Sequence, residues 1–565
     1  MQGLDFLIVA VYMLAALGVG IALARRAGSG SEEFFLAGRS LPWWVAGTSM
    51  VATTFAADTP LAVTGLVAAG GIAGNWVWWA IGIAHVVAAV LFARYWRRLR
   101  VVTDAEVLEL RYTGGPATAL RTIKAFYQAV FINCLTMGWV ILAMTKVCTV
   151  LFPEQNPHLL TFSLMGLAVT YSLLGGMRSV VLTDLVQFGL AMLGALVLMV
   201  VVLKDMGGVS GLVAGIHETY PEQGGALLAF IPETDLPTFT LAFFASLLFV
   251  GWWRQGDGGG YLVQRMGACR SAEDAERASI WFAVLHNAIR PWPWIVVALA
   301  ALVVWPLSQH PGLDREATYA MLLVDKLPTG LLGLMVASML AAFMSTIDTH
   351  VNWGSSYVVT DLWARFGGSR EKEVLVGRVS VVVLGLLAAA VSTQMTNIAD
   401  VWIFIITLGS GLGSVQMARW LWWRVGAEEE LAALLVSTLL ALWLVMDPSF
   451  SKTQGLWIVA LGSLSVWVPM ALFHRRPRNV PTLDRFYQLA RPPGFWGPVA
   501  ARNPGVDVAV GRELLLKLAL GFVAVYGSLF GLGGLLLRGP AWGLLAVAGL
   551  GCTAFLLRPT PVETA

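Results

Sequence analysis

The chain has 565 residues, of which 57% are hydrophobic and only 13% charged, and its formal net charge is +3. Soluble globular chains usually carry about a quarter charged residues, so a soluble fold could not bury this much apolar surface. The composition therefore predicts an integral membrane protein. The sequence contains no nucleophile–base pair, phosphate-binding glycine loop or zinc-ligand spacing, so we expect no enzyme, no cofactor and no nucleic-acid partner.

Apolar stretches of about 20 residues, the length that crosses a bilayer, recur along almost the whole chain. We count fifteen such stretches and predict an all-α membrane protein. The first lacks a basic start and a cleavage site, so we expect a retained helix and not a signal peptide. The predicted spans are 5–24, 43–69, 73–96, 121–151, 157–175, 178–203, 236–260, 280–306, 329–363, 375–395, 397–422, 429–446, 455–473, 515–537 and 539–557.

The basic residues are unevenly distributed between the connecting segments. Most of the 37 Lys and Arg fall on segments that follow odd-numbered spans. Cytoplasmic loops of membrane proteins carry the excess of positive charge. We therefore expect a multi-pass protein of the cell membrane with an external N-terminus and a cytoplasmic C-terminus.

Two spans contain polar interruptions, at 52–60 (ATTFAADTP) in the second span and at 254–260 (RQGDGGG) in the seventh. Pro60 removes a backbone donor, and the three consecutive glycines have low helix propensity. Both spans should therefore unwind at these points. Backbone groups freed at membrane depth persist only beside protein or a cavity, so a cavity is predicted.

The broken spans are five spans apart, which divides the chain into two similar units at about 43–203 and 236–422. Interrupted helices at corresponding positions indicate a five-plus-five inverted repeat with a solute and ion site at the midplane. The alternative is that one break is only a packing kink, which two breaks in register disfavour. We predict a transporter domain at 1–475, a cytoplasmic linker at 476–513 and a C-terminal membrane hairpin at 514–565.

The ninth span carries a cluster of side-chain oxygens. Ser345, Thr346 and Thr349 fall on adjoining rows of one helix face, and Asp348 lies within the same turn. Hydroxyl, carbonyl and carboxylate oxygens are the ligands that hard cations prefer. The alternative is that these hydroxyls bond the carbonyl one turn back or a neighbouring helix.

Four separate stretches are similar in order and spacing to the sodium/solute symporter family, which includes bacterial proline carriers and sodium–glucose cotransporters. They are 34–44 (FFLAGRSLPWW), 175–180 (GGMRSV) continuing to 183–187 (TDLVQ), 261–265 (YLVQR) and 341–346 (AAFMST). The resemblance covers roughly residues 5–475. It implies Na⁺-coupled symport by alternating access and about 13 family-like spans, to which the C-terminal hairpin is added.

The resemblance also implies ligands for the coupling ion. The family's shared sodium site corresponds to backbone oxygens of Ala52 and Phe55, together with Ala342, Ser345 and Thr346. A second sodium site found in some members corresponds to Asp184, Ser345, Asp348 and Thr349. Asp348 stands where the family often has Ser, and an extra buried carboxylate would strengthen a cation site or take up a proton. The alternative for Asp348 is an ion pair with a cytoplasmic Lys or Arg.

The solute site is predicted from polar and charged residues near the breaks. Aligning the sequence with the family's sugar carriers puts Trp78, Ile81 and Asn287 where those carriers hold sugar hydroxyls, which disfavours a sugar. Charged residues near the breaks, among them Arg254 and Arg290, suggest a charged ligand, and the planar guanidinium of Arg290 suits a carboxylate. The solute candidates are Thr54, Asp58, Thr59, Trp78, Gly258, Asn287 and Arg290.

These features favour a symporter of an amino acid or another small carboxylate, with Na⁺, the solute and the lipid bilayer as partners. The alternative for Arg290 is an internal pair with Asp58 or Asp257. The alternative functions are a sugar or polyol symporter, a transporter-like solute sensor and a channel. Paired broken helices argue against a continuous pore.

Overall fold

A computed structural model describes residues 1–24, 36–473, 479–506, 508 and 511–559. In these ranges the regular secondary structure is helical, with only three isolated β-bridges. The predicted all-α class is therefore confirmed. Phe34, Phe35 and the basic cluster at Arg475, Arg476 and Arg478 lie outside the described residues.

We number the longer helices in chain order. They are α1 (Gly3–Ala24), α2 (Trp43–Thr53), α3 (Asp58–Gly70), α4 (Ile72–Leu99), α5 (Gly114–Leu151), α6 (Pro157–Asp205), α7 (Gly208–Thr219), α8 (Leu241–Trp253), α9 (Tyr261–Ala268), α10 (Ala272–Val304), α11 (Thr318–Lys326), α12 (Leu331–Ala364), α13 (Arg370–Ser392), α14 (Ile398–Leu421), α15 (Ala427–Met446), α16 (Lys452–Phe473), α17 (Val480–Ala490), α18 (Gly511–Leu537) and α19 (Pro540–Leu556). Short helical turns are Val107–Arg111, Gly224–Leu227 and Gly497–Ala500.

The apolar helices coincide with the predicted spans. Within the described ranges, ten helices are long and apolar enough to cross a membrane, or eleven if α2 and α3, bent by 61°, form one span. Shorter apolar helices lie at Gly3–Ala15, Pro157–Thr170, Leu241–Trp253 and Pro540–Leu556. Every predicted span thus lies on an apolar helix, but the predicted count of about 13 spans plus a hairpin is not confirmed.

One helix differs from the prediction. We expected separate spans at 157–175 and 178–203, whereas α6 continues without a break for 49 residues. At 1.5 Å per residue it is about 74 Å long, more than twice the roughly 30 Å of a bilayer's hydrocarbon core. Glycines such as Gly175 and Gly176 weaken a helix in water, but where no water competes for the backbone groups the hydrogen bonds can continue through them.

The central and the peripheral helices differ in how much of each is buried. In their most apolar stretches, 78–89% of the residues of α4, α10 and α12 are buried inside the protein, but only 28–33% of those of α13, α15 and α16. α12 packs on α6 and α2, and α10 packs on both halves of the broken helix, α2 and α3. The broken helix is therefore held between two largely buried helices.

The C-terminal hairpin, α18 and α19, packs on α4 and α10. The Tyr526 hydroxyl donates to the carbonyl oxygen of Trp79 at 2.9 Å. Trp292 Nε1 donates to the carbonyl oxygen of Leu529 at 3.0 Å. The hairpin therefore supports the outer faces of two helices that also border the centre of the protein.

The linker between α16 and α18 docks on the end of α14. Trp496 Nε1 donates to the carbonyl oxygen of Trp420 at 2.8 Å. The Arg111 guanidinium lies 4.7 Å from the centre of the Trp496 ring. The domain boundaries proposed at 475 and 513 stay predictions.

Candidate functional site

The first predicted break is present between α2 and α3. The four residues Thr54–Ala57 separate the end of α2 from the start of α3. Pro60 lies in the first turn of α3, where its missing N–H costs no intrahelical hydrogen bond. Thr346 Oγ1 on α12 donates to the carbonyl oxygen of Thr53 at 3.3 Å. The unwound backbone therefore lies beside the hydroxyl-bearing face of α12.

The second predicted break is present between α8 and α9. Gly258 and Gly260 have φ angles of +74° and +83°, a region that residues with a Cβ rarely adopt. Asp257 holds this segment, because its Oδ1 accepts from the N–H of Gly259 at 3.0 Å and its Oδ2 lies 2.5 Å from Arg419 Nη2. The glycine run thus allows the turn, and a buried ion pair fixes it to α14.

A cavity of about 180 Å³ lies between the two breaks. Its charged lining residues are Asp58, Asp104, Arg254 and Arg290, and its aromatic ones are Trp78, Tyr127, Trp139, Tyr261, Trp353 and Trp402. The predicted cavity is therefore confirmed. Of the sequence-predicted site residues, the lining includes Thr54, Asp58, Thr59, Trp78, Arg290 and Thr346.

Arg290 enters this cavity from a π-turn in α10. Its N–H bonds the carbonyl oxygen of Leu285 at 3.2 Å, five residues back, and Pro291 then starts a new helical segment. Arg290 Nη1 donates to Val51 O at 3.2 Å and to Thr54 Oγ1 at 3.3 Å. The π-turn and the proline thus direct the guanidinium toward the first break.

The Arg290 guanidinium is buried without a carboxylate partner. Its side chain is 1% exposed, and its Nε atom has no hydrogen-bond partner. In the described part of the chain neither Asp58 nor Asp257 lies within 4.0 Å of it, and Asp257 is paired with Arg419. A buried guanidinium in an apolar span is costly unless it pairs with an opposite charge or a backbone carbonyl, and of these Arg290 has only the carbonyl of Val51 among the described residues.

The residues implied as sodium ligands lie on α2, the first break and α12. The carbonyl oxygen of Ala52 accepts from the N–H of Phe55 at 3.0 Å. Ala342, Ser345 and Thr346 are buried on α12, and of these Thr346 also lines the cavity. The structure thus brings Thr346 within hydrogen-bond distance of Thr53, the last residue of α2, next to Ala52.

Of the residues implied for a second cation site, two are in direct contact. Asp184 Oδ1 accepts from Ser345 Oγ, and its Oδ2 accepts from Ser49 Oγ at 2.7 Å. Asp348 Oδ1 accepts from Asn352 Nδ2 at 2.9 Å, one turn further along α12. Asp184 and Ser345 are therefore in direct contact, whereas Asp348 has a different hydrogen-bond partner.

A sequence profile of the sodium:solute symporter family matches residues 34–436. The chain belongs to this family. The match spans both breaks and the α12 cluster, so the expected membership is confirmed.

Named relatives of this symporter transport different solutes. The sodium/glucose cotransporter of Vibrio parahaemolyticus is 24% identical over 483 residues, which cover 79% of this chain and 86% of the relative. The sodium/sialic acid symporter NanT of Aliivibrio fischeri is 24% identical over 424 residues, covering 71% of this chain and 78% of NanT. Sodium/glucose cotransporter 4 of Danio rerio is 26% identical, and the matched region covers 69% of this chain and 62% of that longer relative.

A solved structure supports the same fold. The substrate-bound, outward-open state of a Na⁺-coupled sialic acid symporter has a TM-score of 0.67 to this chain. The match covers 83% of this chain and 98% of the other, with 20% sequence identity. The symporter therefore shares the overall helix arrangement of that transporter.

Two solute candidates of the symporter lie outside the cavity lining. Gly258 packs against α4, where a Cβ atom would lie 3.2 Å from the Cβ of Ala88. Asn287 Nδ2 donates to Ala283 O at 2.7 Å and lies 3.0 Å from His85 Nδ1, so the amide bridges α10 and α4. Gly258 was a candidate because it lies in the second break and Asn287 because of the alignment, and neither criterion shows which way a residue faces.

Sequence reasoning missed Arg265, which belongs to the YLVQR stretch on α9. Its Nη2 atom donates to Thr53 Oγ1 and to Thr349 Oγ1, both at 3.0 Å, and lies 4.0 Å from Asp184 Oδ2. A fixed cation thus lies beside the group implied as a second cation site. The sequence did offer a signal for Arg265, because it is a charged residue in a family-like stretch that directly follows the second break.

Proposed function

We propose that the symporter uses a Na⁺ gradient to drive uptake of a small polar organic solute, an amino acid or another carboxylate, by alternating access. The observation that carries the solute class is Arg290, a buried guanidinium that borders the cavity and has no carboxylate partner in the described chain. Arginine presents a planar pair of donors that matches a carboxylate. An anionic solute would supply a carboxylate in direct contact, which no described residue provides within 4.0 Å of this guanidinium.

The proposed sodium site consists of the carbonyl oxygens of Ala52 and Phe55 with Ala342, Ser345 and Thr346. Its support is the hydrogen bond from Thr346 to the backbone of Thr53, because this bond keeps α12 against the unwound segment. A Na⁺ ion prefers the carbonyl and hydroxyl oxygens that these residues offer.

The proposed second cation site contains Asp184, Ser345, Asp348 and Thr349. The contact between Asp184 and Ser345 supports it. Arg265 competes with it, because its guanidinium already lies 4.0 Å from Asp184 and bonds Thr349. The number of Na⁺ ions per cycle therefore depends on whether Arg265 or an ion balances Asp184.

A sugar or polyol is the second candidate solute. The names of the sodium/glucose relatives favour it, and aromatic walls such as Trp78 and Trp139 also suit sugar rings. Arg290 is the feature that a neutral sugar leaves uncompensated. A solute panel therefore separates the two candidates.

The experiment is Na⁺-dependent uptake by purified protein in proteoliposomes, measured across a Na⁺ titration. Ser345→Ala and Thr346→Ala should each raise the Na⁺ concentration for half-maximal uptake about tenfold or more, because each removes a direct ligand oxygen. Thr553→Ala on α19 is the matched control, since this buried hydroxyl donates to the carbonyl oxygen of Gly549 in its own helix and does not line the cavity. Uptake by the wild type without Na⁺ would refute the proposed coupling.

A further inference from the structure

Two guanidiniums, and not one, border the central cavity. Arg254 enters from the second break, and its guanidinium makes no hydrogen bond or ion pair with any residue in the described ranges. The absence of a side chain at Gly409 makes room for it, because a Cβ there would lie 2.5 Å from the Cβ of Arg254. Arg290 enters from α10 with its Nε atom unpartnered. The cavity therefore holds two arginines supplied by different helices.

The acidic residues of the lining do not balance these arginines. Asp104 is already engaged, because its Oδ2 lies 3.2 Å from Lys124 Nζ and accepts from the N–H of Gly260 at 3.2 Å, while its Oδ1 accepts from the Tyr357 hydroxyl. Only Asp58 remains among the lining carboxylates. The cavity thus has an excess of one positive charge, and a bound Na⁺ would raise the excess to two.

We propose that the solute carries two acidic groups, one received by Arg290 and the other by Arg254. This inference rests on the proposed function, Na⁺-coupled transport of a carboxylate, and narrows the solute to a small dicarboxylate. Two solute charges and one Na⁺ bring the charge of the loaded cavity to zero. With Na⁺ bound, a monocarboxylate leaves one net positive charge in this membrane-buried cavity and a neutral amino acid leaves two, which is energetically unfavourable.

The wild-type test compares solutes that differ only in the second acidic group. The stability of the purified full chain is measured by thermal shift with malonate, succinate or glutarate and with propionate, butyrate or valerate, in NaCl and in choline chloride. A ligand that binds only the folded protein raises its apparent stability. We expect at least one dicarboxylate to bind about tenfold or more tightly than its matched monocarboxylate, and only with Na⁺.

The variant test is Arg254→Gln, with Arg502→Gln as the matched control. Arg502 is an exposed linker residue that pairs with Asp484 at 2.8 Å, far in sequence from both breaks. Arg254→Gln should lower dicarboxylate affinity about tenfold or more and reduce the preference over the matched monocarboxylate, because only one guanidinium remains. A stability increase caused by Na⁺ alone shows that the variant is folded.

The outcomes separate the two claims. Na⁺-dependent binding of monocarboxylates as tight as that of dicarboxylates would overturn the dicarboxylate inference and leave carboxylate symport standing. If Arg254→Gln lowers the affinities for the dicarboxylate and for its matched monocarboxylate equally, the dicarboxylate inference is likewise overturned. Failure of every carboxylate to bind in the presence of Na⁺ would refute the proposed carboxylate function itself. If the variant does not fold, the wild-type comparison alone decides.

Discussion

Arg290→Lys tests the role of the guanidinium at the first break. In the structure Arg290 Nη1 donates to Val51 O and Thr54 Oγ1, Nη2 lies 3.5 Å from His286 Nε2, and Nε has no partner. A carboxylate that binds the edge formed by Nε and Nη2 would replace the long contact to His286. Lysine keeps the positive charge but loses this two-donor geometry. Losing one hydrogen bond between charged groups costs about 1.5–3 kcal/mol, which corresponds to roughly a 10- to 150-fold weaker dissociation constant.

The assay is a titration of the protein with the carboxylate solute at saturating Na⁺, in which binding is measured by calorimetry or thermal shift. Na⁺ binding without solute should stay nearly unchanged, because the proposed sodium ligands are other residues. Arg502→Lys on the linker serves as the control for the same substitution at an exposed ion pair. An Arg290→Lys variant that binds the carboxylate as tightly as the wild type would refute the reasoning, as would a transported solute without an acidic group.

Three further predictions concern coupling, stability and orientation. Asp184→Asn should lower the Na⁺ Hill slope or the charge moved per solute in electrical recordings, because it removes the carboxylate that faces Arg265; unchanged values would remove the second-site proposal. Asp257→Asn should lower the free energy of unfolding in denaturant titrations by about 3 kcal/mol, because it breaks a buried pair with Arg419, and a change below about 1 kcal/mol would contradict this role. A single cysteine at Ser449 should react with an impermeant maleimide from outside, whereas one at Arg485 should react only after permeabilisation. The reverse pattern would invert the proposed orientation.

The two breaks could be predicted because their causes are local in sequence. Pro60 and the run from Gly258 to Gly260 act on the backbone of their own segments, and the structure has both interruptions there. The continuity of α6 was missed for a related reason. Apolar span length predicts two helices, at 157–175 and 178–203, but the surroundings decide whether the helical hydrogen bonds persist between them.

The partners of buried side chains could not be predicted, because they lie far away in sequence. Asp257 bonds Arg419, 162 positions further on, and Asn287 lies against His85, 202 positions earlier. From the sequence alone, Asn287 was a solute candidate and Asp257 a possible partner of Arg290. Their actual contacts depend on how α14 and α4 rotate toward the breaks, and periodicity within a single span carries no information about a neighbour's rotation.

Arg290 shows an intermediate case. The sequence places a cation beside Pro291 inside an apolar span, and this alone predicts a costly group that needs compensation. It left open whether Asp58 or Asp257 supplies that compensation. The structure answers this for the described residues, because neither carboxylate lies within 4.0 Å of the guanidinium.

Solute accumulation in proteoliposomes under an imposed Na⁺ gradient tests the central claim most directly. Purified protein is reconstituted, and a labelled carboxylate is supplied outside with an inward Na⁺ gradient, with equal Na⁺ on both sides, or with K⁺ replacing Na⁺. We predict transient accumulation above the external concentration only under the inward Na⁺ gradient, and its loss when a sodium ionophore dissipates that gradient. Equal accumulation with K⁺, or uptake that never exceeds equilibration under any gradient, would contradict Na⁺-coupled symport.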